Sequence, residues 1–195
     1  DSSEVYDQAL SWGAKVLMTD EHWPSGTARI ASVADRLAAD VIVNVQGDEP
    51  LIKGQVIDHL IEALESSDAD VATPVYPITT IDDVTNPNVV KVVQTPDHRA
   101  LYFSRSPIPY FRNFDLETPQ SAYRHVGLYA YRRKFLLHLA SLKPTQLERT
   151  EQLEQLRALE HGFRIQTVEI KQEPVGVDTQ QDLDRVRQIF SAGAS

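Results

Sequence analysis

Asp48 follows an apolar, β-branched run and has the chemistry to hold a divalent cation. The run DVIVNV (40–45) leads directly into the segment QGDEP (46–50). Residues that follow a strand of a parallel sheet lie at the edge where such sheets bind ligands. Mg²⁺ prefers hard oxygen ligands and commonly takes one or two carboxylates together with phosphates. The alternative is an ordinary turn, because Gly, Asp and Pro are all common turn residues.

Asp178 is a second candidate metal ligand, in the segment PVGVDTQQDL (174–183). Asp178 or Thr179 could instead cap the last helix, because a side-chain oxygen or a negative charge is favourable at a helix N-terminus. Asp48 and Asp178 could still meet at one sheet edge and share a cation. The residue pattern alone leaves both interpretations open.

Polar residues near the ends of other predicted strands are candidate ligand-binding groups. Arg105 ends the run ALYFSR (100–105), and its planar guanidinium suits a carboxylate, although arginine is also commonly exposed without a ligand. His125 and Tyr129 are four residues apart in RHVGLYAY (124–131). On one continuous strand they would share a face at a separation of about 13 Å. They could line a polar pocket or simply pack at the sheet rim.

Three further charged side chains have ordinary structural explanations. Glu151 and Glu154 share one face of a predicted helix, and a solvated helix face is the default explanation for such a pair. Lys91 lies within the run VVKVV. It could serve an anionic ligand or simply mark an edge strand.

Strand and helix patterns alternate along the chain, which predicts an α/β fold. Alternation of this kind indicates a three-layer sandwich with a mostly parallel central sheet. We predict a single domain over residues 1–195. The predicted helices cover 3–12, 25–37, 53–65, 134–140, 147–161 and 179–189, and the predicted strands cover 15–19, 40–45, 70–75, 89–94, 100–105, 124–131 and 165–170.

Charge and composition argue against several functional classes. The formal net charge of -9 lacks the basic footprint of a nucleic-acid-binding protein. No run of about 18 apolar residues is present, so we expect no membrane-spanning helix. The chain has no cysteine, which excludes disulfides and thiol nucleophiles and fits a reducing compartment.

Several motifs in a fixed order resemble the 3-deoxy-manno-octulosonate cytidylyltransferase family. They are VNVQGDEP, NPNVVKVV, LYFSR, HVGLY, LEQLRALE and VGVD, and the resemblance extends from Asp1 to about Arg187. It implies a nucleotide-diphospho-sugar transferase type of fold and a cytoplasmic homodimer. Such an enzyme uses CTP and Mg²⁺ to convert 3-deoxy-manno-octulosonate into its CMP derivative and pyrophosphate, for lipopolysaccharide biosynthesis.

The resemblance also implies roles for individual residues. Asp48 and Asp178 would bind Mg²⁺ and, with Arg105, would be catalytic. The sugar pocket would be lined by Gln46, Arg105, His125, Tyr129, Glu154 and Gln155, and the nucleotide would lie near Ser25, Gly26, Thr27 and Gln46. Ala28 stands where the family usually has an acidic residue, so Arg29 is assigned no role.

The family's N-terminal strand and its phosphate-binding loop, PARxxSxRLPGKxL, have no counterpart in these 195 residues. The cations of that loop would stabilise charge on the phosphates. We therefore expect the 195 residues alone to be inactive and poorly stable, and a protein that carries the segment to be active. Two alternatives stay open: a cytidylyltransferase for another acidic or amino sugar, and an inactive fragment that retains only the dimer surface.

Overall fold

The structure, a computed structural model, describes residues 1–112, 122–177 and 179–193. Helices pack on both faces of one sheet in this part of the chain. The strands are β1 (Val41–Asn44), β2 (Val71–Pro77), β3 (Lys91–Gln94), β4 (Ala100–Ser104), β5 (Tyr123–His125), β6 (Tyr129–Arg132) and β7 (Ile165–Glu169). The helices are α1 (Ser3–Ser11), α2 (Gly26–Ala34), α3 (Gly54–Glu65), α4 (Ile81–Thr85), α5 (Arg133–Ser141), α6 (Gln146–Glu151), α7 (Gln155–Glu160) and α8 (Gln180–Gly193).

The prediction of a mostly parallel sheet is wrong. The strand order is β1-β6-β2-β5-β3-β4, with β7 paired to β2. Among the described strands only β2 and β7 pair in parallel, and the other pairings are antiparallel. The cause is β6, which lies between β1 and β2: Ala130 is the register partner of both Val43 and Ala72. The alternation of strands and helices along the chain correctly predicted that α3 connects β1 to β2. It carries no information on whether another strand lies between β1 and β2 in the sheet.

The predicted single strand over 124–131 is broken into β5 and β6, which both pair with β2. His125 lies opposite Val75 and Ala130 lies opposite Ala72, so the β5–β6 segment has more residues than the strand it faces. The extra residues form a local irregularity at Val126–Leu128, where the Val126 N–H bonds the Pro74 carbonyl at 3.1 Å. A break of this kind redirects the side chains on either side of it.

Apolar stripes bind the helices to the two sheet faces. On one face, Leu60 and Leu64 of the amphipathic helix α3 pack with Ala72, Leu128 and Ala130. A larger cluster lies on the other face, where α2, α5 and α7 cover the sheet; it includes Ile42, Val71, Phe103, Leu136 and Leu156. Burial of these apolar side chains is the main force that stabilises the packing of the helices on the sheet.

Two further local predictions differ from the structure. Residues 15–19 form no strand. The predicted helix over 147–161 is divided by Gln152, whose φ of 55° ends α6 before α7 begins. The interruption places Leu153 and Glu154 in a turn rather than on a continuous helix face. No helix within the described ranges is both long and apolar enough to cross a membrane.

Candidate active site

Ser25 connects the N-terminus of α2 to the turn before α7. As the N-cap of α2, its Oγ accepts a hydrogen bond from the Ala28 N–H at 3.2 Å. The same hydroxyl donates to Glu154 Oε1 at 2.9 Å. Serine is a favoured N-cap because its oxygen satisfies a free helix N–H. The structure thus joins Ser25, predicted on the nucleotide side, to Glu154, predicted on the sugar side.

Gly26 lies directly against the amide of Gln46. A Cβ atom at position 26 would be 3.3 Å from Gln46 Nε2 and 3.7 Å from Asn44 Nδ2. The Gln46 amide is itself oriented by donating to Asn44 Oδ1 at 2.9 Å. Asn44 is buried at the end of β1, and it was not among the predicted site residues. A lone amide in the apolar run DVIVNV was the signal that could have identified it.

A row of aromatic rings borders this site. His125 contacts the edge of Phe103, with ring centroids 5.1 Å apart, and lies 5.4 Å from the Tyr129 ring. Tyr129 in turn stacks on Tyr131 at 5.6 Å. The proposed separation of about 13 Å between His125 and Tyr129 assumed a continuous strand. The break between β5 and β6 brings the two rings into contact instead.

Burial governs the ionisation of these rings. It lowers the pKa of His125 to about 3, although part of the residue is exposed, because the ring lies between Phe103 and Tyr129. Burial raises the pKa of Tyr129, and the neighbouring Tyr131 and Glu154 raise it further. His125 is therefore a neutral imidazole at neutral pH and Tyr129 a neutral phenol.

Thr27 and Gln155 are the remaining buried polar residues of this candidate site. Thr27 Oγ1 lies 3.5 Å from the Tyr131 hydroxyl. Gln155 is 8% exposed, and its Nε2 has no hydrogen-bond partner within the described residues. Gln155 lines a small cavity together with Tyr129, Tyr131 and Glu154. A buried amide without a partner is rare, and either an ordered water or a ligand group can supply one in so small a cavity.

Arg105 lies just beyond β4, where two groups of contacts hold it. Its Nε donates to the Glu151 carbonyl at 2.9 Å and its Nη1 to the Pro87 carbonyl at 3.1 Å. Its backbone N–H donates to Glu151 Oε2 at 2.9 Å. Glu151 also accepts from Ser104 Oγ at 2.6 Å. The solvated-face explanation for Glu151 is therefore wrong, because its carboxylate binds the end of β4.

Lys91 is the charged residue whose role the sequence left open. It is 0% exposed, and its Nζ donates to the carbonyls of Asn86 at 2.8 Å, Val89 at 2.6 Å and Arg105 at 2.5 Å. Burial lowers its pKa, against an opposing effect of Glu151. Lys91 therefore does not mark an edge strand, because β3 lies between β5 and β4, and its buried ammonium is not accessible to a ligand. It binds backbone carbonyls instead, including that of Arg105.

Asp48 is exposed in the turn after β1, and its carbonyl accepts the Val177 N–H at 2.8 Å. Asp178, which follows Val177 in the chain, lies outside the described residues. No group of three or more His, Asp or Glu side chains that could hold a metal ion occurs within 1–112, 122–177 and 179–193. The shared-cation prediction for Asp48 and Asp178 stays a prediction.

Comparisons with known proteins agree with the predicted family. Residues 1–169 match the cytidylyltransferase family. The chain is 47% identical over 195 residues to a 3-deoxy-manno-octulosonate cytidylyltransferase of Geobacter sulfurreducens, a match that covers 95% of this chain and 78% of that one. It is 49% identical over 199 residues to the protein of the same name from Pelobacter propionicus, which covers 97% and 78% of the two chains.

Solved structures show the same relationship. A CMP:2-keto-3-deoxy-manno-octonic acid synthetase in complex with CTP matches 99% of this chain and 79% of its own length, with a TM-score of 0.90 and 37% identity. A protein described as a glucose-1-phosphate thymidylyltransferase of Bacillus anthracis matches with a TM-score of 0.61 at 15% identity, covering 95% of this chain and 70% of its own. That second likeness is one of fold alone. From the family match and the identity to its relatives, we conclude that the chain belongs to the cytidylyltransferase family, among the 3-deoxy-manno-octulosonate cytidylyltransferases.

Proposed function

We propose that this chain transfers CMP from CTP to 3-deoxy-manno-octulosonate and releases pyrophosphate. The observation that carries the proposal is the hydrogen bond between Ser25 Oγ and Glu154 Oε1, which joins a nucleotide-side group of residues to a sugar-side group at one sheet edge. The names of the relatives, and the CTP complex of the similar synthetase, support the same reaction.

The sugar side consists of one cation, the Glu154 carboxylate and several neutral polar groups. Arg105 is a permanently charged donor suited to the carboxylate of a sugar acid. His125 and Tyr129 are neutral, because burial lowers the pKa of His125 and raises that of Tyr129. As neutral groups, they can form hydrogen bonds with the hydroxyl groups of a sugar. The Gln155 amide, which lacks a partner in the described residues, adds a donor for the same ligand.

The nucleotide side consists of Ser25, Gly26, Thr27 and Gln46. The Gln46 amide can both donate and accept, as recognition of a cytosine edge requires. Gly26 allows this amide to lie against the start of α2, since a side chain at that position would meet it at 3.3 Å. Asn44 fixes which way the amide points by accepting from Gln46 Nε2.

Asp48 and Asp178 are the residues proposed to hold Mg²⁺. Asp48 carries an exposed carboxylate, a hard oxygen donor of the kind that Mg²⁺ prefers. The bond from the Val177 N–H to the Asp48 carbonyl places the residue before Asp178 beside Asp48, which fits a two-carboxylate site. A bound Mg²⁺ would neutralise phosphate charge and polarise the phosphoryl group.

The proposed reaction is a direct displacement without a covalent enzyme intermediate. The anomeric hydroxyl oxygen of the sugar forms a bond to the α-phosphorus of CTP, the bond from that phosphorus to the bridging oxygen breaks, and pyrophosphate leaves. The hydroxyl proton passes to solvent. The residues named above act by positioning the two substrates, which is the main contribution a protein makes to phosphoryl transfer.

The proposal is tested by measuring pyrophosphate release from CTP with a panel of sugars. We expect turnover with 3-deoxy-manno-octulosonate, little turnover with a sialic acid, the 8-amino octulosonate or a sugar phosphate, and loss of turnover when Mg²⁺ is chelated. Asp48→Asn should abolish turnover, while the exposed control Asp58→Asn on α3 should not. This turnover is expected of the protein with any residues that precede Asp1 in its gene; the 195 residues alone, which we expect to be inactive, are assayed beside it.

Two outcomes would contradict the proposal. Faster turnover with another acidic or amino sugar would indicate a different cytidylyltransferase. Absence of CTP binding by calorimetry in the longest protein would indicate a non-catalytic chain. We further propose a homodimer in the cytoplasm; light scattering after size exclusion would contradict the dimer by giving the mass of one chain.

A further inference from the structure

The hydroxyl of Thr73 is buried beneath His125 and contacts three groups. Thr73, in the centre of β2, is 0% exposed. Its Oγ1 lies 3.0 Å from His125 Nε2, 2.8 Å from the Leu128 carbonyl and 3.3 Å from the Val126 carbonyl. The Thr73 side chain therefore connects the His125 ring at the end of β5 to the backbone of the irregular segment between β5 and β6.

The hydrogen bonds of this hydroxyl decide which nitrogen of His125 carries the proton. A threonine hydroxyl has one hydrogen to donate, and a carbonyl oxygen can only accept. Its hydrogen therefore belongs to a carbonyl, and Leu128 is the nearer of the two. The lone pairs of Oγ1 are left for His125, so Nε2 must carry a hydrogen. The opposite tautomer would take this hydrogen from the Leu128 carbonyl, and an unpaired buried acceptor is costly. The Val126 carbonyl would keep a partner, because it also accepts the Leu128 N–H at 2.7 Å.

The position of the ring is fixed by further contacts. The His125 backbone N–H donates to the Val90 carbonyl at 2.8 Å, and the ring lies against Phe103 and Tyr129. Thr73, Phe103 and Tyr129 are the side chains seen to face it from β2, β4 and β6, and none of them carries a charge at neutral pH. The ring therefore has no charged partner among them that would favour an imidazolium.

We propose that Thr73 is a positioning residue that selects the Nε2–H tautomer of His125 and leaves Nδ1 as a hydrogen-bond acceptor for a ligand hydroxyl. The identity of the ligand rests on the proposed function, but the tautomer does not. A neutral acceptor repels a carboxylate and accepts from an alcohol. His125 thus selects for a sugar hydroxyl, and the sugar carboxylate is left to Arg105.

The tautomer is measured directly in the ligand-free protein by ¹⁵N NMR of the histidine side chains, with the His125 signals assigned by their loss in His125→Gln. We expect protonated Nε2 and unprotonated Nδ1 at pH 7. An Nδ1–H tautomer or an imidazolium would overturn the proposal. Thr73→Val should give a mixture of tautomers, and Thr73→Ser, which keeps the hydroxyl, should restore the wild-type pattern. An unchanged pattern in Thr73→Val would also overturn it.

Thr167→Val is the matched control, because Thr167 is the register partner of Thr73 on β7 and is also buried. Its hydroxyl lies within hydrogen-bond distance of Gln94 Oε1 and of the His98 carbonyl instead, and it does not contact His125. We expect Thr73→Val to raise the sugar KM by the factor by which the Nε2–H fraction of His125 falls, about twofold for an equal mixture, with little change in the CTP KM. Thr167→Val should change neither. An unchanged sugar KM in an active Thr73→Val enzyme would overturn the positioning role. Inactivity of the wild type with any residues that precede Asp1 would contradict only the proposed function.

Discussion

Arg105 and Glu151 bind each other through reciprocal hydrogen bonds between the end of β4 and the end of α6. The Glu151 carboxylate accepts the Arg105 backbone N–H at 2.9 Å, and Arg105 Nε donates to the Glu151 carbonyl at 2.9 Å. Glu154 lies in the turn that follows Glu151. The proposed carboxylate-binding cation is therefore fixed relative to the turn that contacts Ser25, although these residues are distant in sequence.

Glu151→Gln should weaken sugar binding more than CTP binding. An amide offers one acceptor oxygen where the carboxylate offers two, so either Ser104 or Arg105 loses a partner. We expect a several-fold rise in the sugar KM and a loss of about 1–3 kcal/mol of stability, the cost of leaving a polar group unpaired. Kinetics and urea denaturation would measure the two effects. Exposed Glu62→Gln on α3 is the control, and an equal effect in both variants would contradict the assignment.

The stability difference between wild type and Glu151→Gln should depend on pH. Burial raises the pKa of Glu151, but hydrogen bonds from Ser104 and Arg105 outweigh this effect and hold the pKa below the ordinary value of 4.5. The folded state therefore favours the ionised form, and this contribution is present above about pH 4.5 and lost as pH falls through the lowered pKa. The difference between the denaturation midpoints of wild type and Glu151→Gln should therefore be smaller at pH 3 than at pH 7. Midpoints that stay equally far apart at pH 3 would contradict this.

Lys91→Met should destabilise the protein strongly. The change leaves the carbonyls of Asn86, Val89 and Arg105 without the ammonium donor that they share. We expect a loss of about 1–3 kcal/mol, the cost of leaving buried acceptors unpaired. Thermal denaturation would measure it. Exposed Lys134→Met on α5 should change stability by less than about 0.5 kcal/mol, and a similarly small effect of Lys91→Met would contradict the buried-donor role.

Gly26→Ala should raise the CTP KM while leaving the fold intact. The added Cβ would be 3.3 Å from Gln46 Nε2, so the amide proposed to bind cytosine must shift. Gly54→Ala is a matched control, because Gly54 also begins a helix, α3, and a Cβ there meets nothing within 4 Å. We expect a rise of about tenfold for Gly26→Ala, the loss of one hydrogen bond, and no rise for Gly54→Ala. Equal CTP KM values for both variants would contradict the close approach.

The neutral state of His125 predicts how stability changes in acid. The pKa is about 3 in the folded state against 6.5 for the free side chain, so the unfolded chain binds a proton that the folded protein excludes. Stability is therefore lost as pH falls from about 6.5 towards 3. His125→Gln should lose less stability between pH 7 and pH 4.5 than wild type, measured by urea denaturation, whereas exposed His59→Gln on α3 should follow wild type. A parallel loss in all three proteins would contradict the shift.

Much of this protein could be predicted from local sequence. The family, the helices over α2 and α3, and the strand-to-turn position of Asp48 follow from apolar periodicity and from motifs that are contiguous in the chain. The N-cap role of Ser25 belongs to the same class, since a cap bond forms within a few residues. Such interactions depend on neighbours in the sequence, and the sequence contains them in full.

Tertiary structure alone decided the sheet order and the contacts of the site. Alternating strands and helices are compatible with either a parallel or a mixed sheet, and the insertion of β6 depends on the long-range pairing of Ala130 with both Val43 and Ala72. Likewise, no spacing rule could predict that Glu151 binds Arg105 or that Thr73 lies under His125. These pairs form because burial of apolar side chains brings distant backbone segments together, and each buried polar group must then find a partner among whatever lies beside it.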